Sequence, residues 1–134
     1  MILVDTSIWI DFLTEKSHPK IDLFKKIIDN NEDVALTPYI YLEVLQGAKD
    51  DRSFQRLREY LDVQIFIDYE DSKSFHRKAA YLFLQCRRKG VTVRSSIDCL
   101  IAQLAIEKDI WLLHNDRDFD HIGSVVPELK LYNG

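Results

Sequence analysis

Four aspartates and one glutamate occupy positions from which carboxylates could act together. Asp5, Asp116 and Asp118 follow short apolar runs, Asp98 lies at the start of an amphipathic pattern, and Glu43 lies one step from an apolar helical stripe. Carboxylates gathered in one cleft repel each other, and a bound cation relieves that repulsion. Hard oxygen ligands suit Mg²⁺ or Mn²⁺. Such a site could activate a water molecule and stabilise the leaving oxygen in phosphodiester hydrolysis.

Each acid taken alone has an ordinary structural explanation. Asp5 could be a helix N-cap within Asp5-Thr6-Ser7, Glu43 could be a solvated helix residue, and Asp118 could cap a turn that begins at Phe119. Asp98 is harder to explain in this way, because Ser95 or Ser96 already provides a cap for its helix. The combination of acids is therefore more specific than any single one.

The elements around these acids predict that they converge. Residues 2–4 and 110–113 are short apolar runs that break abruptly into polar residues, as buried parallel strands do where they end at a loop. Open α/β sheets have their sites beyond the carboxyl ends of their strands. Asp5, Asp98 and Asp116 could thus meet although they are distant in the sequence.

Strands and helices are expected to alternate along the whole chain. The predicted strands cover residues 1–5, 34–36, 63–67, 110–113 and 129–132, and helical patterns separate them. Thr37 and Pro38 are typical of a helix start, and Gly90 of a helix end. Residues 118–122 are expected to form a single turn. This alternation predicts an α/β fold with a mostly parallel sheet of four or five strands, covered on both faces.

Composition limits the class of protein. The 134 residues, 46% of them hydrophobic, fit a single domain covering residues 1–134. No apolar run approaches the ~20 residues of a membrane span, and Asp5 interrupts the N-terminal apolar stretch, so we expect no membrane association and a cytoplasmic location. Cys86 and Cys99 show neither a zinc-binding nor a disulfide pattern. The net charge of −4 neither supports nor excludes RNA binding.

Four motifs together resemble those of the PIN-domain ribonucleases, and within them the VapC-type toxins of prokaryotic toxin–antitoxin pairs. The opening run MILVDTSIWI is similar to the first motif of the family. The segment from Glu43 to Gly47 is similar to the second, and Asp98 with CLIA is similar to the third. The run DRDF, which begins at Asp116, is similar to the last. The likeness extends in order over essentially the whole chain.

The resemblance implies functional roles for particular residues. Asp5, Glu43, Asp98 and Asp116 would be the catalytic acids that bind Mg²⁺, with Mn²⁺ as a substitute, and Asp118 would support them in binding the metal. Thr6 or Ser7 would hold the first carboxylate or a water. His114 replaces a Thr or Ser that many relatives have, so the usual hydroxyl support of the final acid is missing.

The resemblance also implies an activity and partners. The protein would be a Mg²⁺-dependent endoribonuclease, the toxin of a toxin–antitoxin module. It would have a three-layer α/β/α fold, form a homodimer, and be inhibited by a small cognate antitoxin that covers the active site.

An RNA substrate requires cations beside the acids. The candidates are the basic residues nearest to the acidic motifs, namely Arg87, Arg88, Lys89, Arg94 and Arg117. An equally acceptable interpretation of the first three is a solvated basic end of a helix. Trp9 and Trp111 are expected in the core rather than as platforms for stacked bases.

Three other functions are compatible with parts of the sequence. A non-catalytic RNA-binding or scaffold protein of the same fold would keep its acids only as caps, which the intact set of acids disfavours. A phosphatase with an Asp5 nucleophile commonly needs a second acid two residues later, where this chain has Ser7. A phosphorylated receiver domain would need an early acidic pair that is missing.

Overall fold

The computed structural model describes the chain from Met1 to Gly134. Its five strands are β1 Ile2–Val4, β2 Val34–Leu36, β3 Ile65–Phe66, β4 Trp111–Leu113 and β5 Lys130–Leu131. Its seven helices are α1 Thr6–Leu13, α2 Pro19–Asp29, α3 Pro38–Leu45, α4 Asp51–Asp62, α5 Ser72–Arg88, α6 Ser96–Glu107 and α7 Arg117–Val125. None of these helices combines the length and hydrophobicity that a membrane span requires.

The five strands form one sheet in the order β3-β2-β1-β4-β5, and every neighbouring pair is parallel. The predicted α/β class with a parallel sheet is therefore confirmed. The chain first builds the sheet outward from β1 to β3 and later adds β4 on the other side of β1. This reversal creates a crevice between the carboxyl ends of β1 and β4, where sheets of this kind place their sites.

The helices pack in two groups, α1 to α4 and α5 to α7, and the sheet lies between them. The three central strands of the sheet are buried, because β1, β2 and most of β4 carry Ile, Leu, Val and Ala that face helices on both sides. Thr37 caps α3 as predicted, since its hydroxyl accepts a hydrogen bond from the backbone N–H of Ile40 at 3.2 Å. Gly90 ends α5 at a φ of +71°, a left-handed conformation that favours glycine.

The structure corrects the bounds of several predicted elements: β1 and β4 are shorter than the predicted residues 1–5 and 110–113. The third strand is shorter than residues 63–67, because Val63 still belongs to the end of α4 and only Ile65–Phe66 pairs with β2. The last strand is Lys130–Leu131 rather than residues 129–132. The single turn expected at residues 118–122 is part of the nine-residue helix α7, Arg117–Val125.

The two tryptophans differ in their surroundings. Trp9 is fully buried and donates its indole N–H to the carbonyl of Val4 at 2.9 Å, as expected for a core residue. The prediction for Trp111 is wrong, because 43% of this residue is exposed at the start of β4. The ammonium of Lys130 lies 5.2 Å from the centre of its indole ring. Trp111 is the first residue of β4 and so lies at the amino end of the strand, whereas the acids described below follow the carboxyl ends of the strands.

Candidate active site

The crevice between β1 and β4 brings the predicted acids together. Asp5 directly follows β1, and Asp116 follows β4 after a short loop. The backbone N–H of Asp5 donates to the carbonyl of Leu113 at 3.0 Å, so the ends of the two strands are tied to each other. Both aspartates are N-caps, of α1 and α7 respectively. The side chain of Asp116 caps α7 by accepting a hydrogen bond from the N–H of Asp118, whereas the side chain of Asp5 makes no capping hydrogen bond to α1.

Three carboxylates form the centre of the site. Asp98, Asp116 and Asp118 each present one oxygen, and these oxygens lie within 4.8 Å of one another. Asp98 reaches the group from the first turn of α6, whose N-terminus is capped by Ser95 through a 3.2 Å hydrogen bond from the N–H of Ile97. The other two come from the start of α7. Residues from two helices on one side of the sheet therefore supply this cluster, which we call the acidic trio.

The carboxyl group of Asp98 has a strongly raised pKa. Partial burial, followed by repulsion from Asp116, Asp5 and Asp118, raises its pKa from 3.8 to about 7. Proximity of several like charges has this effect because ionisation of one carboxyl disfavours ionisation of the next. The contribution of Asp5 to this pKa shows that Asp5 also lies near the acidic trio.

Asp5 is the most enclosed acid after Asp118. It is 6% exposed, and burial raises its pKa to about 6. The hydroxyl of Ser7 donates to its Oδ2 at 3.2 Å, which partly offsets the cost of burying the carboxylate. Ser7 thus holds the first carboxylate, as one of the two predicted alternatives requires.

Thr6 holds a different acid from the one predicted. Its Oγ1 donates to Oε1 of Glu43 at 2.8 Å, and so orients the carboxylate of α3 rather than that of Asp5. Repulsion from Glu43 contributes to the raised pKa of Asp5. Glu43 consequently lies close enough to Asp5 for their charges to repel.

The start of α7 is held by hydrogen bonds within and around it. Oδ1 of Asp116 accepts the N–H of Asp118 at 3.0 Å, which makes Asp116 the cap that sequence reasoning assigned to Asp118. The side chain of Asp118 is only 5% exposed and instead points into the site, where Arg94 contacts it. His121 also approaches it, with Nδ1 3.9 Å from Oδ1 of Asp118.

His114 takes over the support that a Thr or Ser was expected to give. Its Nδ1 accepts the backbone N–H of Asp116 at 3.1 Å, and its buried ring packs against Phe119 at 5.2 Å between centroids. Burial lowers the pKa of His114 below its ordinary 6.5. A buried imidazole of this kind positions the loop rather than serving as an exposed proton donor.

The candidate RNA-binding cations have different environments. Arg94 forms ion pairs with Asp116 and Asp118 at 3.2 Å each. The guanidinium of Arg87 lies over the ring of Phe83 at 5.1 Å. The other three, Arg88, Lys89 and Arg117, are exposed and form no ion pair within 4.0 Å.

The donor set fits a hard divalent cation. Three carboxylate oxygens lie close enough to share one ion, and repulsion from neighbouring acids is, after burial, a cause of the raised pKa of Asp98, so a metal ion would relieve this repulsion. All three members of the cluster offer carboxylate oxygens, the ligands that Mg²⁺ and Mn²⁺ prefer. Asp98, Asp116 and Asp118 could hold such an ion, with Asp5 next to them.

Sequence reasoning found the acids but missed the ion pairs of Arg94 and the hydrogen bond of His114. Arg94 precedes α6 in a loop without periodic pattern, so nothing in its spacing indicates contact with α7. The role of His114 could have been predicted from its residue type, because a ring nitrogen can accept a hydrogen bond in place of a hydroxyl oxygen.

Comparisons with known proteins agree with this arrangement. The PIN domain family model matches residues 2–125. VapC ribonuclease Mb1587 of Mycobacterium bovis and ribonuclease VapC11 of Mycobacterium tuberculosis are each 35% identical over 126 residues, which cover 93% of this chain and 93% of those proteins.

Solved structures have the same fold. VapBC2 from Rickettsia felis, crystallised with a DNA fragment from its promoter, matches 100% of this chain and 99% of that chain with a TM-score of 0.75 and 20% identity. A toxin–antitoxin complex from Klebsiella pneumoniae matches 99% of this chain and 97% of that chain with a TM-score of 0.72 and 19% identity. With the family model covering nearly the whole chain, this protein belongs to the PIN domain family.

Proposed function

We propose that this chain is a metal-dependent endoribonuclease that acts as the toxin of a toxin–antitoxin module. The observation that carries the proposal is the convergence of Asp98, Asp116 and Asp118, with Asp5 beside them, at the crevice of a PIN fold. The 35% identity to proteins named VapC ribonucleases supports the same activity. Capping alone does not account for the cluster, because α6 already has Ser95 as its cap.

The acids have two proposed tasks. Asp98, Asp116 and Asp118 hold Mg²⁺, for which Mn²⁺ can substitute, and Asp5 completes the set from the end of β1. When bound, the ion supplies an activated water as nucleophile and offsets negative charge that develops on the phosphate. Asp98 and Asp116 are the partly exposed members, so we assign to them the orientation of the attacking water on the side that solvent and substrate reach.

The remaining polar residues act by positioning. Ser7 holds Asp5, Thr6 holds Glu43, and His114 holds the loop that presents Asp116. Groups that orient the ligands of a metal commonly matter for its affinity and for activity. Glu43 helps to fix the site through its contact with Thr6, and its charge adds to the attraction for a cation.

RNA approaches an acidic site only if cations offset the repulsion between its phosphates and the carboxylates. Arg88, Lys89 and Arg117 are exposed and free of ion pairs, and we propose them as contacts for the RNA backbone. Arg87 and Arg94 are further candidates, although each already interacts within the protein. These contacts would bind phosphates without reading bases.

The proposed partners follow from the family. The solved structures with the same fold are described as toxin–antitoxin assemblies, and we propose a small cognate antitoxin that covers the acids of this chain. We also propose a homodimer and a cytoplasmic location, where the RNA substrate and the antitoxin would both be present.

The activity is tested by incubating total RNA with the purified protein in Mg²⁺, in Mn²⁺ and in a chelator. The test variant is Asp98→Asn, and Asp29→Asn is its matched control, because Asp29 is an exposed aspartate at the end of α2 and precedes the amino end of β2, away from the carboxyl ends where the acids lie. We expect discrete fragments from the wild type and from Asp29→Asn in either metal only. Mapping the new RNA ends then identifies the target.

Either of two results would refute the nuclease. One is cleavage that persists in the chelator or in Asp98→Asn, which would point to a contaminating enzyme. The other is the absence of cleavage by folded protein that binds Mn²⁺, with all RNA classes present, which would favour an RNA-binding protein without catalysis.

A further inference from the structure

Arg94 makes an unusually complete set of contacts with two acids of the acidic trio. Its Nε donates to Oδ2 of Asp118 and its Nη2 donates to Oδ1 of Asp116, both at 3.2 Å. Its backbone N–H donates to Oδ2 of Asp118, again at 3.2 Å. One residue thus contacts both carboxylates that α7 contributes to the site.

The ion pairs place a positive charge where a metal ion would otherwise be needed. The side chain of Asp118 is 5% exposed, and a buried carboxylate is costly unless a cation or hydrogen bonds compensate it. The side chain of Arg94 is 65% exposed, so it can leave the acids for solvent without breaking any packing in the core. The guanidinium and a divalent cation therefore compete for the same two carboxylates.

We propose that Arg94 is a built-in counter-ion of the acidic trio, which offsets part of the negative charge of Asp116 and Asp118 in the metal-free protein and must be displaced when a divalent cation binds. This inference rests on the metal site of the proposed function. It gives Arg94 a role in setting metal affinity, in addition to any contact with RNA.

A positioning role for Arg94 predicts the opposite effect on metal binding. If the guanidinium served to orient the two carboxylates for the metal, its removal would weaken metal binding. The backbone contacts decide between the two, because the N–H of residue 94 still donates to Asp118, and the N–H of Asp118 still donates to Asp116, when the side chain is truncated. The carboxylates of Arg94→Ala accordingly keep their orientation and lose only the competing charge.

The test is calorimetric titration of Mn²⁺ into the metal-free protein without RNA. The variants are Arg94→Ala and Arg94→Lys, and the matched control is Arg117→Ala, which removes the same charge from an arginine at the start of α7 that forms no ion pair. We expect the Kd for Mn²⁺ to fall roughly 3- to 10-fold in Arg94→Ala, as the loss of two partly exposed ion pairs implies. The Kd of Arg94→Lys should lie between those of Arg94→Ala and the wild type. Arg117→Ala should change the Kd less than Arg94→Ala does.

Melting temperatures give a second readout. In chelator, Arg94→Ala should melt below the wild type, because Asp118 loses its counter-ion. In saturating Mn²⁺ this difference should shrink, since the metal then neutralises the acids in both proteins.

An unchanged or higher Kd for Mn²⁺ in Arg94→Ala, or a melting difference that stays constant with Mn²⁺, would overturn the inference and leave the proposed nuclease intact. A wild-type protein that binds no Mn²⁺ would instead refute the proposed metal site, and the inference with it.

Discussion

The Nδ1 atom of His114 accepts a hydrogen bond from the backbone N–H of Asp116 at 3.1 Å. This acceptor role requires Nδ1 to be unprotonated, so in the neutral ring the proton is on Nε2, which lies 3.4 Å from Oδ1 of Asp120. A buried histidine thereby fixes the loop between β4 and α7. The position of Asp116 in the acidic trio depends on this contact.

We predict that removal of the acceptor at position 114 destabilises the protein. His114→Phe keeps a buried ring but leaves the partly buried N–H of Asp116 without its partner, so we expect a loss at the low end of the about 1–3 kcal/mol that an unsatisfied buried donor costs. His114→Asn retains an acceptor close to the ring's Nδ1 and should lose less stability than His114→Phe. Urea unfolding of both variants in chelator measures the difference. If only ring packing mattered, His114→Phe would be the more stable of the two variants, and that result would contradict the prediction.

A second prediction concerns pH and Asp98. The pKa of Asp98 is raised from 3.8 to about 7 in the folded protein, so between these values the unfolded state releases the proton and the folded state keeps it. The free energy of unfolding of the metal-free wild type therefore falls as pH rises through this window. Asp98→Asn has no such proton to lose.

The comparison of these two proteins in chelator isolates the effect from other titrating groups. At pH 4 their stabilities should be similar, and from pH 7 upward Asp98→Asn should be the more stable protein. The full shift corresponds to ~4 kcal/mol, and because Asp98 is partly exposed we expect no more than about half of that. A difference in stability that does not change between pH 4 and pH 8 would contradict the raised pKa.

We further predict that Mn²⁺ stabilises the wild type. A ligand that binds only the folded state adds about 2.7 kcal/mol to the free energy of unfolding at a concentration of 100 times its Kd. The melting temperature should thus rise with Mn²⁺, and the rise should be smaller in Asp98→Asn and unchanged in the exposed control Asp29→Asn. A melting temperature that ignores millimolar Mn²⁺ would argue against a carboxylate metal site.

The sequence predicted the parts of the fold and site that depend on local pattern. Short apolar runs before Asp5 and Asp116 indicated buried parallel strands, and the strand ends then required the two acids to meet. The fully formed start of α3 at Thr37 follows from the same kind of local chemistry. Such features need only a few neighbouring residues to specify them.

Features that depend on contacts between distant segments were not predictable in this way. The alternating pattern at residues 63–67 could not show that only Ile65 and Phe66 would find a partner, because β3 is an edge strand. Trp111 has the composition of a core residue, but its position at the start of β4 leaves it exposed. Arg94 contacts α7 across 22 and 24 residues of sequence, and charge alone does not select its partner among the acids.

The exposed cations should determine the salt dependence of RNA binding. If Arg88, Lys89 and Arg117 each contact a phosphate, their substitution by alanine weakens binding for all RNA sequences alike, and each lowers the slope of log K against log salt by about 1. Competition binding with unrelated oligonucleotides at several salt concentrations, in chelator to prevent cleavage, measures this slope. Lys26→Ala on α2 is an exposed control from which we expect no change. A slope that stays constant in all three variants would show that RNA binds elsewhere.

Substitutions of Thr6, which contacts Glu43, can distinguish a positioning role of this residue from a purely structural one. Thr6→Val keeps the shape of the side chain and removes the hydroxyl that donates to Oε1 of Glu43 at 2.8 Å, whereas Thr6→Ser keeps the donor. If Glu43 must be held for the site to work, Thr6→Val should lose about 10- to 100-fold in RNA cleavage, as other residues that orient metal ligands do, and Thr6→Ser should stay near the wild type. Cleavage rates at saturating Mn²⁺ and melting temperatures of the same samples distinguish the alternatives. If both variants lose activity only in proportion to a loss of stability, Thr6 serves the folding of α1. If Thr6→Val keeps full activity, the site does not require the hydroxyl of Thr6 to orient Glu43.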